Sequence, residues 1–435
     1  MKVCKFGGTS MATAESILKI KNILNSDKTR KLVVVSAPGK RFKTDNKITD
    51  LLYAAYKEKL TYGVPGAALE EVCDRFEILA RDLNLDIDIR SYIEEIETGL
   101  IESNNSDYIA SRGEYLSARI MSKVLNFTFI DAGDIIKFRY DGSFDSELTR
   151  DLVSELKDIK GGAIIPGFYG RMPDKTIKTF SRGGSDVTGA IIAAGVNATL
   201  YENWTDVNGF MACDPNIVTN PKWIEVLSYQ ELRELSYMGA NVLHPDSIFP
   251  IYDIGIPIII KNTFNPTALG TQILKNVDGF DRPVITGIAG KKSNTVITLT
   301  KSMMNSELGF GRKVLSVLER NGVSFEHIPT GIDAMSIVVS NQLSESLKQK
   351  IHDDIKGAVN PDTFDISTTL SLIAIVGHGM ANRKGTAAKI CTALYNADIN
   401  IRMIDQGSSE MNVIVGVEDA DYSKSINALY DAFFK

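Results

Sequence analysis

The sequence predicts an α/β protein in which a large domain with a mostly parallel sheet precedes two smaller α+β modules. Three observations predict this architecture. Strand-like and helix-like segments alternate through the first 280 of the 435 residues. The strand-like segments are continuous apolar runs, which is typical of strands buried on both faces. The remainder of the chain contains an internal repeat.

The first element is a strand, KVCKF (2–6), which ends in the two glycines of KFGGTS. The segment after it has Ile17, Ile20 and Leu24 at helical spacing. A strand–glycine turn–helix junction exposes backbone N–H groups, and with a cation nearby it can hold phosphate. The plain alternative is an ordinary turn, because glycine adopts backbone angles that other residues avoid.

The alternation continues to the end of the first domain. The predicted strands are LVVVSAPG (32–39), AIIPGFYG (163–170), TLYENW (199–204) and IPIIIKNT (256–263), and the predicted helices are ITDLLYAAYKEKL (48–60) and SDVTGAIIAAG (185–195). Residues 60–110 carry few strand signals and are predicted to form helices beside the sheet.

The last third of the chain repeats one pattern. Residues 311–331 and 387–407 align without a gap, and each copy follows a strand and leads into a further strand and helix. A strand–helix–strand–strand–helix unit that occurs twice predicts two small modules. The predicted domains are residues 1–283, 284–362 and 363–435.

The composition argues against several classes of function. A formal net charge of −6 without a long basic run argues against nucleic acid as a partner. The four cysteines lie far apart, which argues against a disulfide framework or structural zinc site and favours a reducing compartment. Lys2 and Lys5 interrupt the N-terminus, and no apolar run reaches the roughly 18 residues of a membrane span. We therefore expect a cytoplasmic protein with no membrane partner.

Polar residues cluster at three further strand–helix junctions, SRGGSD (181–186), ASRGEYLSA (110–118) and WTDVNGFMACDPN (204–216). Arg182 offers a rigid donor fork for a carboxylate or phosphate, and Glu114 offers a carboxylate for an ammonium group. Each stretch alone is equally well a surface ion pair, a helix cap or a turn. Together with Lys5 they indicate a site for anionic and zwitterionic ligands at the ends of neighbouring strands, where open α/β sheets bind them.

Four motifs together resemble the signature set of aspartokinases, enzymes of the amino-acid kinase fold. The motifs are KFGGTS, SRGGSD, the WTDVNGF–DP stretch and GANVLHP (239–245), in the family's order. The tandem repeat resembles the paired ACT modules of the same enzymes. The resemblance covers nearly the whole chain and implies an amino-acid kinase-like three-layer sandwich followed by two ferredoxin-like ACT modules. The length fits a monofunctional enzyme.

The resemblance implies phosphoryl transfer from MgATP to the side-chain carboxylate of L-aspartate, which gives 4-phospho-L-aspartate, the first step of lysine, threonine and methionine biosynthesis. A carboxylate with a pKa of about 4 is already ionised at neutral pH, so the reaction needs no general base. The site has to align the reactants and neutralise charge. None of the four histidines lies inside the three junction motifs, which fits this requirement.

The resemblance also implies roles for single residues. The catalytic residues would be Lys5, which bridges the transferred phosphoryl group, and Asp186, which orients Lys5 or the metal shell. The substrate-binding residues would be Ser36, Thr49, Glu114 for the α-ammonium group, Arg182 for the α-carboxylate, Gly183, Gly184 and Ser185. The nucleotide contacts would be Lys5, Gly7, Gly8, Ser10, Thr205, Asp206, Phe210, Asn216 and Asn241. Mg²⁺ is expected chiefly on phosphates and water.

Two of these positions depart from the family's pattern. Asn241 stands in GANVLHP where related enzymes usually carry lysine, and Asn216 follows DP where they usually carry arginine. Both changes remove positive charge from the nucleotide end. The basic loop SAPGKRFKTDNK (36–47) supplies lysines and an arginine that can compensate.

The first repeat offers an effector site in MMNSELGFGRK (303–313). The expected allosteric residues are Met304, Ser306, Glu307, Phe310 and Gly311. Glu307 would receive a cationic group, and N–H groups at the helix start would hold a carboxylate. The alternative is an ordinary helix entry. Lysine is the preferred effector and threonine the second choice, and the resemblance implies a homodimer or homotetramer through the ACT modules.

Two other functions stay open at this point. One is another kinase of the same fold that acts on glutamate, a carbamate or a nucleotide, against which the tandem modules and the pair Glu114 and Arg182 argue. The other is a catalytically inactive amino-acid sensor, against which the intact Lys5, Arg182 and Asp186 argue.

Overall fold

The computed structural model describes residues 1–181, 183–240, 242–339 and 343–435. The chain forms two compact units. The first consists of Met1–Phe210, Glu225–Tyr229 and Asn241–Asp278, and the second of Met211–Ile224, Gln230–Ala240 and Gly279–Lys435. Within the described ranges, no helix is both long and apolar enough to cross a membrane.

The strands and helices are numbered separately in chain order. The strands are β1 (Lys2–Phe6), β2 (Arg30–Val35), β3 (Thr128–Phe129), β4 (Ala163–Pro166), β5 (Tyr169–Arg171), β6 (Ile177–Thr179), β7 (Leu200–Thr205), β8 (Val226–Ser228), β9 (Ile258–Asn262), β10 (Thr271–Leu274), β11 (Gly287–Thr300), β12 (Ala334–Val339), β13 (Thr363–Val376), β14 (Met403–Asp405) and β15 (Asn412–Glu418). The α-helices are α1 (Ala14–Asn25), α2 (Ile48–Tyr62), α3 (Ala67–Asp82), α4 (Ile89–Ser103), α5 (Ser106–Leu125), α6 (Ala132–Ile135), α7 (Ser146–Ser154), α8 (Gly184–Gly195), α9 (Tyr229–Tyr237), α10 (Phe249–Tyr252), α11 (Phe310–Arg320), α12 (Glu345–Val359), α13 (Thr386–Asn396) and α14 (Tyr422–Phe434).

The first unit is built on an eight-stranded sheet with the order β3-β4-β2-β1-β7-β9-β10-β8. The first six strands run parallel, β10 is antiparallel to β9, and β8 is parallel to β10. The mostly parallel sheet predicted from the apolar runs is therefore confirmed. The carboxyl ends of β1, β2 and β4 meet at one edge, as parallel pairing requires.

Strand β1 lies in the middle of this sheet and separates two helical layers. Its alternate residues Cys4 and Phe6 belong to an apolar core shared with α1 to α5. Lys5 points to the opposite face, because successive side chains of a strand alternate. Helix α8 packs against β1, β2 and β7 and supplies the partner of Lys5.

The second unit contains a five-stranded antiparallel sheet with the order β12-β11-β13-β15-β14. Strands β11 and β13 each span 14 residues and pair with one another, with register shifts around Asn294. The half of β11 that begins at Thr295 pairs with β12, and the half of β13 that ends at Val376 pairs with β15. The two repeats thus share both long strands.

The glycine-containing stretch GIAGKKS (287–293) forms the first half of β11. A Cβ atom on Gly290 would lie 2.7 Å from the carbonyl oxygen of Leu372. The glycine therefore permits close strand packing here instead of a turn.

Candidate functional site

Lys5 and Asp186 form an ion pair at the centre of the first unit. The Lys5 Nζ atom lies 2.7 Å from Asp186 Oδ1, and Lys5 is 8% exposed. Asp186 is in the first turn of α8, so the helix start and the strand end hold the pair between them. The structure therefore brings together the two residues predicted to be catalytic.

Two residues that the sequence analysis missed fix the position of Asp186. The Asn203 amide donates a hydrogen bond of 2.8 Å to Asp186 Oδ1, and the Tyr201 hydroxyl donates one of 3.1 Å to the Asp186 carbonyl oxygen. Asn203 lies directly opposite Lys5 in the pairing of β1 with β7. Two polar residues, Glu202 and Asn203, inside a buried strand were the available signal, because buried polar groups are kept where they have a partner.

The loops after β1 and β2 approach one another closely. The Gly39 N–H donates a hydrogen bond of 2.8 Å to the Gly8 carbonyl oxygen. A Cβ atom on Gly8 would lie 2.9 Å from the carbonyl oxygen of Ala37 and 3.3 Å from the Gly39 nitrogen. The glycine at position 8 is thus required for the contact between the two loops, quite apart from any phosphate.

A cavity of about 420 Å³ opens beside this contact. It is lined by Gly8, Thr9, Ser36, Ala37, Pro38, Gly39, Lys40, Lys47, Thr49 and Glu114. Three of the predicted substrate residues, Ser36, Thr49 and Glu114, therefore lie in one cavity although they are far apart in the sequence. Lys40 and Lys47 add positive charge to its lining.

Glu114 is the electrostatically unusual residue of the cavity. Burial raises the pKa of its carboxyl group to about 8, although the backbone N–H of Ala37 and the nearby Arg112 favour the charged form. Its Oε2 atom is buried and has no hydrogen-bond partner among the described residues. An unpaired buried carboxylate oxygen costs free energy, which a cationic donor in the cavity would recover.

The end of β4 packs tightly on the start of α8. Phe168 has φ of 81°, which is rare for a bulky residue and marks local strain. Its N–H donates a hydrogen bond of 3.0 Å to Thr188 Oγ1 on α8. A Cβ atom on Gly184 would lie 2.9 Å from the Phe168 Cα atom, so the second glycine of SRGGSD is required for this packing. The sequence analysis also missed Phe168, since no sequence motif indicates its conformation.

The predicted residues at the start of α8 are partly described. Gly183, at φ of 59°, precedes the helix, and a Cβ atom there would lie 2.6 Å from the Cβ atom of His244 in the GANVLHP motif. Ser185 follows in the first turn and lies against Gly167. The predicted ligands Arg182 and Asn241 lie outside the described residues.

Two of the predicted nucleotide contacts are buried and make hydrogen bonds within the first unit. Ser10 is fully buried, its hydroxyl is 2.8 Å from Thr263 Oγ1, and its N–H donates to the Gly7 carbonyl oxygen. Phe210 is 1% exposed, and its N–H donates to Thr271 Oγ1 at 2.8 Å. The side chains of both residues are buried, and their contact with a nucleotide stays a prediction.

The remaining predicted nucleotide contacts are more accessible. Thr205 ends β7, and its hydroxyl donates a hydrogen bond of 3.2 Å to Asp206 Oδ1. Asn216 belongs to the second unit, where its N–H and its amide both donate to Asp214 Oδ1 at 2.9 Å. The described residues contain no group of three or more histidine, cysteine, aspartate or glutamate side chains placed to hold a metal ion.

The predicted effector residues gather before helix α11 in the second unit. The Glu307 carboxylate already accepts hydrogen bonds from the ammonium groups of Lys301 and Lys313, with N–O distances of 2.6 Å each. These hydrogen bonds lower the pKa of the Glu307 carboxyl group. Met304 and Phe310 are buried in the apolar core of this region, whereas Ser306 is exposed and Gly311 lies in the first turn of the helix.

Comparison with known proteins places the chain in a family. Residues 1–262 match the amino acid kinase family, and residues 373–433 match an ACT domain. Aspartokinase 3 of Bacillus subtilis (strain 168) is 37% identical over 449 residues, which cover 100% of this chain and 99% of that protein. The chain belongs to the aspartokinase family. The resemblance inferred from the motifs is confirmed, and the activity of this aspartokinase is that of an aspartate kinase.

Solved aspartokinase structures share the fold of the whole chain. The aspartate kinase of Clostridium acetobutylicum, described as an allosteric enzyme, is 50% identical with a TM-score of 0.93, and each chain is covered completely. Aspartokinase III of E. coli was solved with aspartate and ADP, and also with lysine and aspartate. It is 24% identical with TM-scores of 0.81 and 0.80, over 100% of both chains, a likeness that shows the fold.

Gly8→Ala is expected to raise the KM of this aspartokinase for aspartate about tenfold and to lower its thermal unfolding midpoint, because overpacking typically costs about 1–3 kcal/mol. The added methyl group would push the Ala37–Gly39 loop that lines the cavity. Steady-state kinetics and a thermal melt measure both effects. Gly357→Ala is the control, since nothing lies within 4 Å of a Cβ atom at that position in α12. A Gly8→Ala variant with the wild-type KM and melting midpoint would contradict the assigned loop contact.

Proposed function

We propose that the 420 Å³ cavity binds L-aspartate with its α-ammonium group at Glu114. The observation that carries this proposal is the buried Oε2 atom of Glu114, which has no hydrogen-bond partner in the described part of the chain, on a residue that lines the same cavity as Ser36 and Thr49. An ammonium group supplies the donor that this oxygen lacks and the charge that favours the ionised carboxylate. The hydroxyl groups of Ser36 and Thr49 can bond the remaining polar atoms of the ligand.

Positive charge in and near the cavity suits a substrate with two carboxylates. Lys40 and Lys47 line the cavity and would attract the anionic amino acid. Arg182, which precedes the glycines at the start of α8, is proposed as the partner of the α-carboxylate on the basis of the family motif. Its planar donor fork fits a carboxylate better than a lysine ammonium group would.

We further propose that Lys5 neutralises negative charge on the transferred phosphoryl group, which MgATP supplies when it is bound. The ion pair with Asp186 and the hydrogen bond from Asn203 hold the Lys5 ammonium group in place before the substrates bind. Such preorganised charge is the main source of catalysis where little covalent work is needed. The attacking aspartate carboxylate is already ionised, so no residue has to remove a proton from it. Mg²⁺ would be held through phosphate oxygens and water, which is the usual mode for this ion.

A coupled assay of ADP release tests the proposed substrates. Release is expected to require L-aspartate, ATP and Mg²⁺ together, and replacing aspartate by glutamate should reduce it strongly because the longer side chain displaces the reacting carboxylate. Equal turnover of glutamate, or turnover without Mg²⁺, would contradict this assignment.

Feedback regulation through the region before α11 is also proposed, with lysine as effector and threonine as the second choice. The related C. acetobutylicum enzyme is allosteric, and lysine is the ligand of the E. coli enzyme of the same fold. Glu307 binds two lysine ammonium groups of its own chain, so its carboxylate suits the side chain of free lysine, which would replace one of them. A homodimer or homotetramer through the ACT modules is part of this proposal.

Lysine is expected to inhibit the wild-type enzyme, and Glu307→Ala should raise the half-maximal lysine concentration about tenfold or more, as expected for loss of a charge-assisted hydrogen bond. Glu345→Ala is the matched control, because Glu345 pairs with Lys348 on the exposed surface of α12. The measurement is activity against lysine and threonine, separately and together. No response to either amino acid would end the feedback proposal, and unchanged inhibition of Glu307→Ala would exclude this site.

A further inference from the structure

A second and larger cavity, of about 900 Å³, lies in the first unit and has no part in the proposed reaction. Its lining comes from α4, α5, the segment after β3 and the β5–β6 hairpin. Helix α5 separates it from the cavity of about 420 Å³ that contains Glu114. Arg112 lines the larger cavity and Glu114 the smaller one, and residues two apart on a helix point to different sides.

Two arginines on one side of α5 form the wall of this cavity. Arg112 and Arg119 are seven residues apart, which places them on the same helix face. Arg112 is 6% exposed, and its guanidinium lies 4.6 to 5.1 Å from the ring centres of Tyr108, Tyr115 and Tyr169. The Arg119 guanidinium lies 3.8 Å from the ring centre of Phe129.

Neither arginine has a counter-ion within residues 1–181, 183–240, 242–339 and 343–435. Among the described carboxylates, none lies within 4 Å of either guanidinium, and the polar contacts of Arg112 are with the Ser111 hydroxyl and the Tyr108 carbonyl oxygen. Arg119 donates to the Tyr115 hydroxyl at 2.8 Å, and its buried Nε has no partner within the part of the chain described. Cation–π contacts offset only part of the cost of burying such charges.

Three aspartates that line the cavity are engaged elsewhere. Asp134 pairs with Arg171 at 3.0 Å, and Asp174 accepts hydrogen bonds from Thr176. Asp131 Oδ1 accepts from the Gly133 N–H and the Tyr169 hydroxyl. The lining also contains Glu95 and Lys175, and the donors of the two guanidiniums lie on its α5 side.

We propose that the Arg112–Arg119 cavity is a binding site for a small oxyanion, the phosphate or carboxylate group of a metabolite. A guanidinium presents planar, paired donors that match the oxygens of either group, and a bound anion would supply the missing counter-charge and a partner for Arg119 Nε. The aromatic rings beside both arginines fix the guanidinium planes in advance, which lowers the entropic cost of binding. This inference is independent of the proposed roles of Glu114 and Lys5.

Isothermal titration of the full chain with inorganic phosphate and, separately, with malonate tests the site at constant ionic strength. The Lys5→Ala background is used so that binding near Lys5 does not contribute. Saturable binding of at least one probe is expected, and the tighter probe identifies phosphate or carboxylate as the group preferred. Arg119→Gln in that background should weaken binding at least tenfold, whereas Arg90→Gln, an exposed arginine on α4 paired with Glu70 and Glu77, should leave binding unchanged.

A measurement on the wild-type chain covers the case in which Arg119→Gln does not fold. Phenylglyoxal labelling followed by peptide mass spectrometry should show that the better probe slows modification of Arg112 and Arg119 at least threefold but does not slow modification of Arg90. Absence of saturable binding, unchanged affinity in a folded Arg119→Gln variant, or equal protection of all three arginines would overturn the proposal.

Discussion

Lys5→Met is expected to lower kcat at least about 10³-fold while the chain stays folded. The side chain keeps most of its volume but loses the charge that we place at the transferred phosphoryl group. Removing one preorganised group that stabilises developing charge typically costs about 10²–10³ in rate. Lys5 should lie at or beyond the upper end of this range, because it is buried and its electrostatic effect is weakly screened by water.

The measurement is steady-state kinetics at saturating aspartate and MgATP, with circular dichroism as a check of folding. Lys2→Met is the matched control on the same strand, since Lys2 pairs with Asp27 and Glu202 away from the Asp186 side chain. The control should keep kcat within about threefold of wild type, a small effect compared with a lost catalytic group. A Lys5→Met variant that is equally active would remove Lys5 from the catalytic role.

Glu114→Gln is expected to lower kcat/KM for aspartate about 10²-fold with a smaller effect on the KM for ATP. The amide has the same shape as the carboxylate but carries no charge, so it cannot form an ion pair with an ammonium group, and a hydrogen bond to a charged group is worth about 1.5–3 kcal/mol. The change should also remove a pH dependence. In the wild type, the KM for aspartate should rise about tenfold for each pH unit below about 8, because the raised pKa leaves Glu114 protonated there.

Glu114 has opposite effects on aspartate binding and on stability, because binding needs the ionised carboxylate whereas the fold is stabilised by the neutral form. Its pKa in the folded chain is raised above the ordinary value of 4.5, so the neutral form stabilises the fold. That stabilisation is complete below pH 4.5 and is lost as the pH rises through about 8. Thermal melts from pH 5 to 9 should therefore fall less steeply for Glu114→Gln than for the wild type. Parallel melting curves for the two proteins, together with an unchanged KM profile, would contradict the raised pKa.

The sequence predicted that the site residues lie close together, because parallel strands end at one edge of a sheet. Lys5 follows from that rule, and Ser36, Thr49 and Glu114 follow from the family motifs. The contribution of Asn203 could not be predicted, because it depends on which residue of β7 lies opposite Lys5. Phe168 could not be predicted either, since its positive φ is set by packing against α8.

Motifs alone also could not tell exposed residues from buried ones. Ser10 belongs to KFGGTS, yet its hydroxyl is hydrogen-bonded to the hydroxyl of Thr263, about 250 residues later in the chain. Glu307 was expected to receive a cationic group from a ligand, and the ammonium groups of Lys301 and Lys313 already contact it. The fold class needed only periodicity and repeats and is confirmed. The predicted domain boundaries at residues 283 and 362 stay a prediction.

The central claim is that the Glu114 carboxylate recognises the α-ammonium group of aspartate. Succinate tests this claim most directly, because it keeps both carboxylates of aspartate and lacks the ammonium group. Competitive inhibition by succinate and the KM for aspartate are measured at pH 8.5 for the wild type and Glu114→Gln. The wild type should prefer aspartate about 10²-fold, and the variant should prefer it by less than about threefold, as expected when the one group that distinguishes the two ligands has lost its partner. A Glu114→Gln enzyme that still prefers aspartate about 10²-fold would show that the ammonium group binds elsewhere.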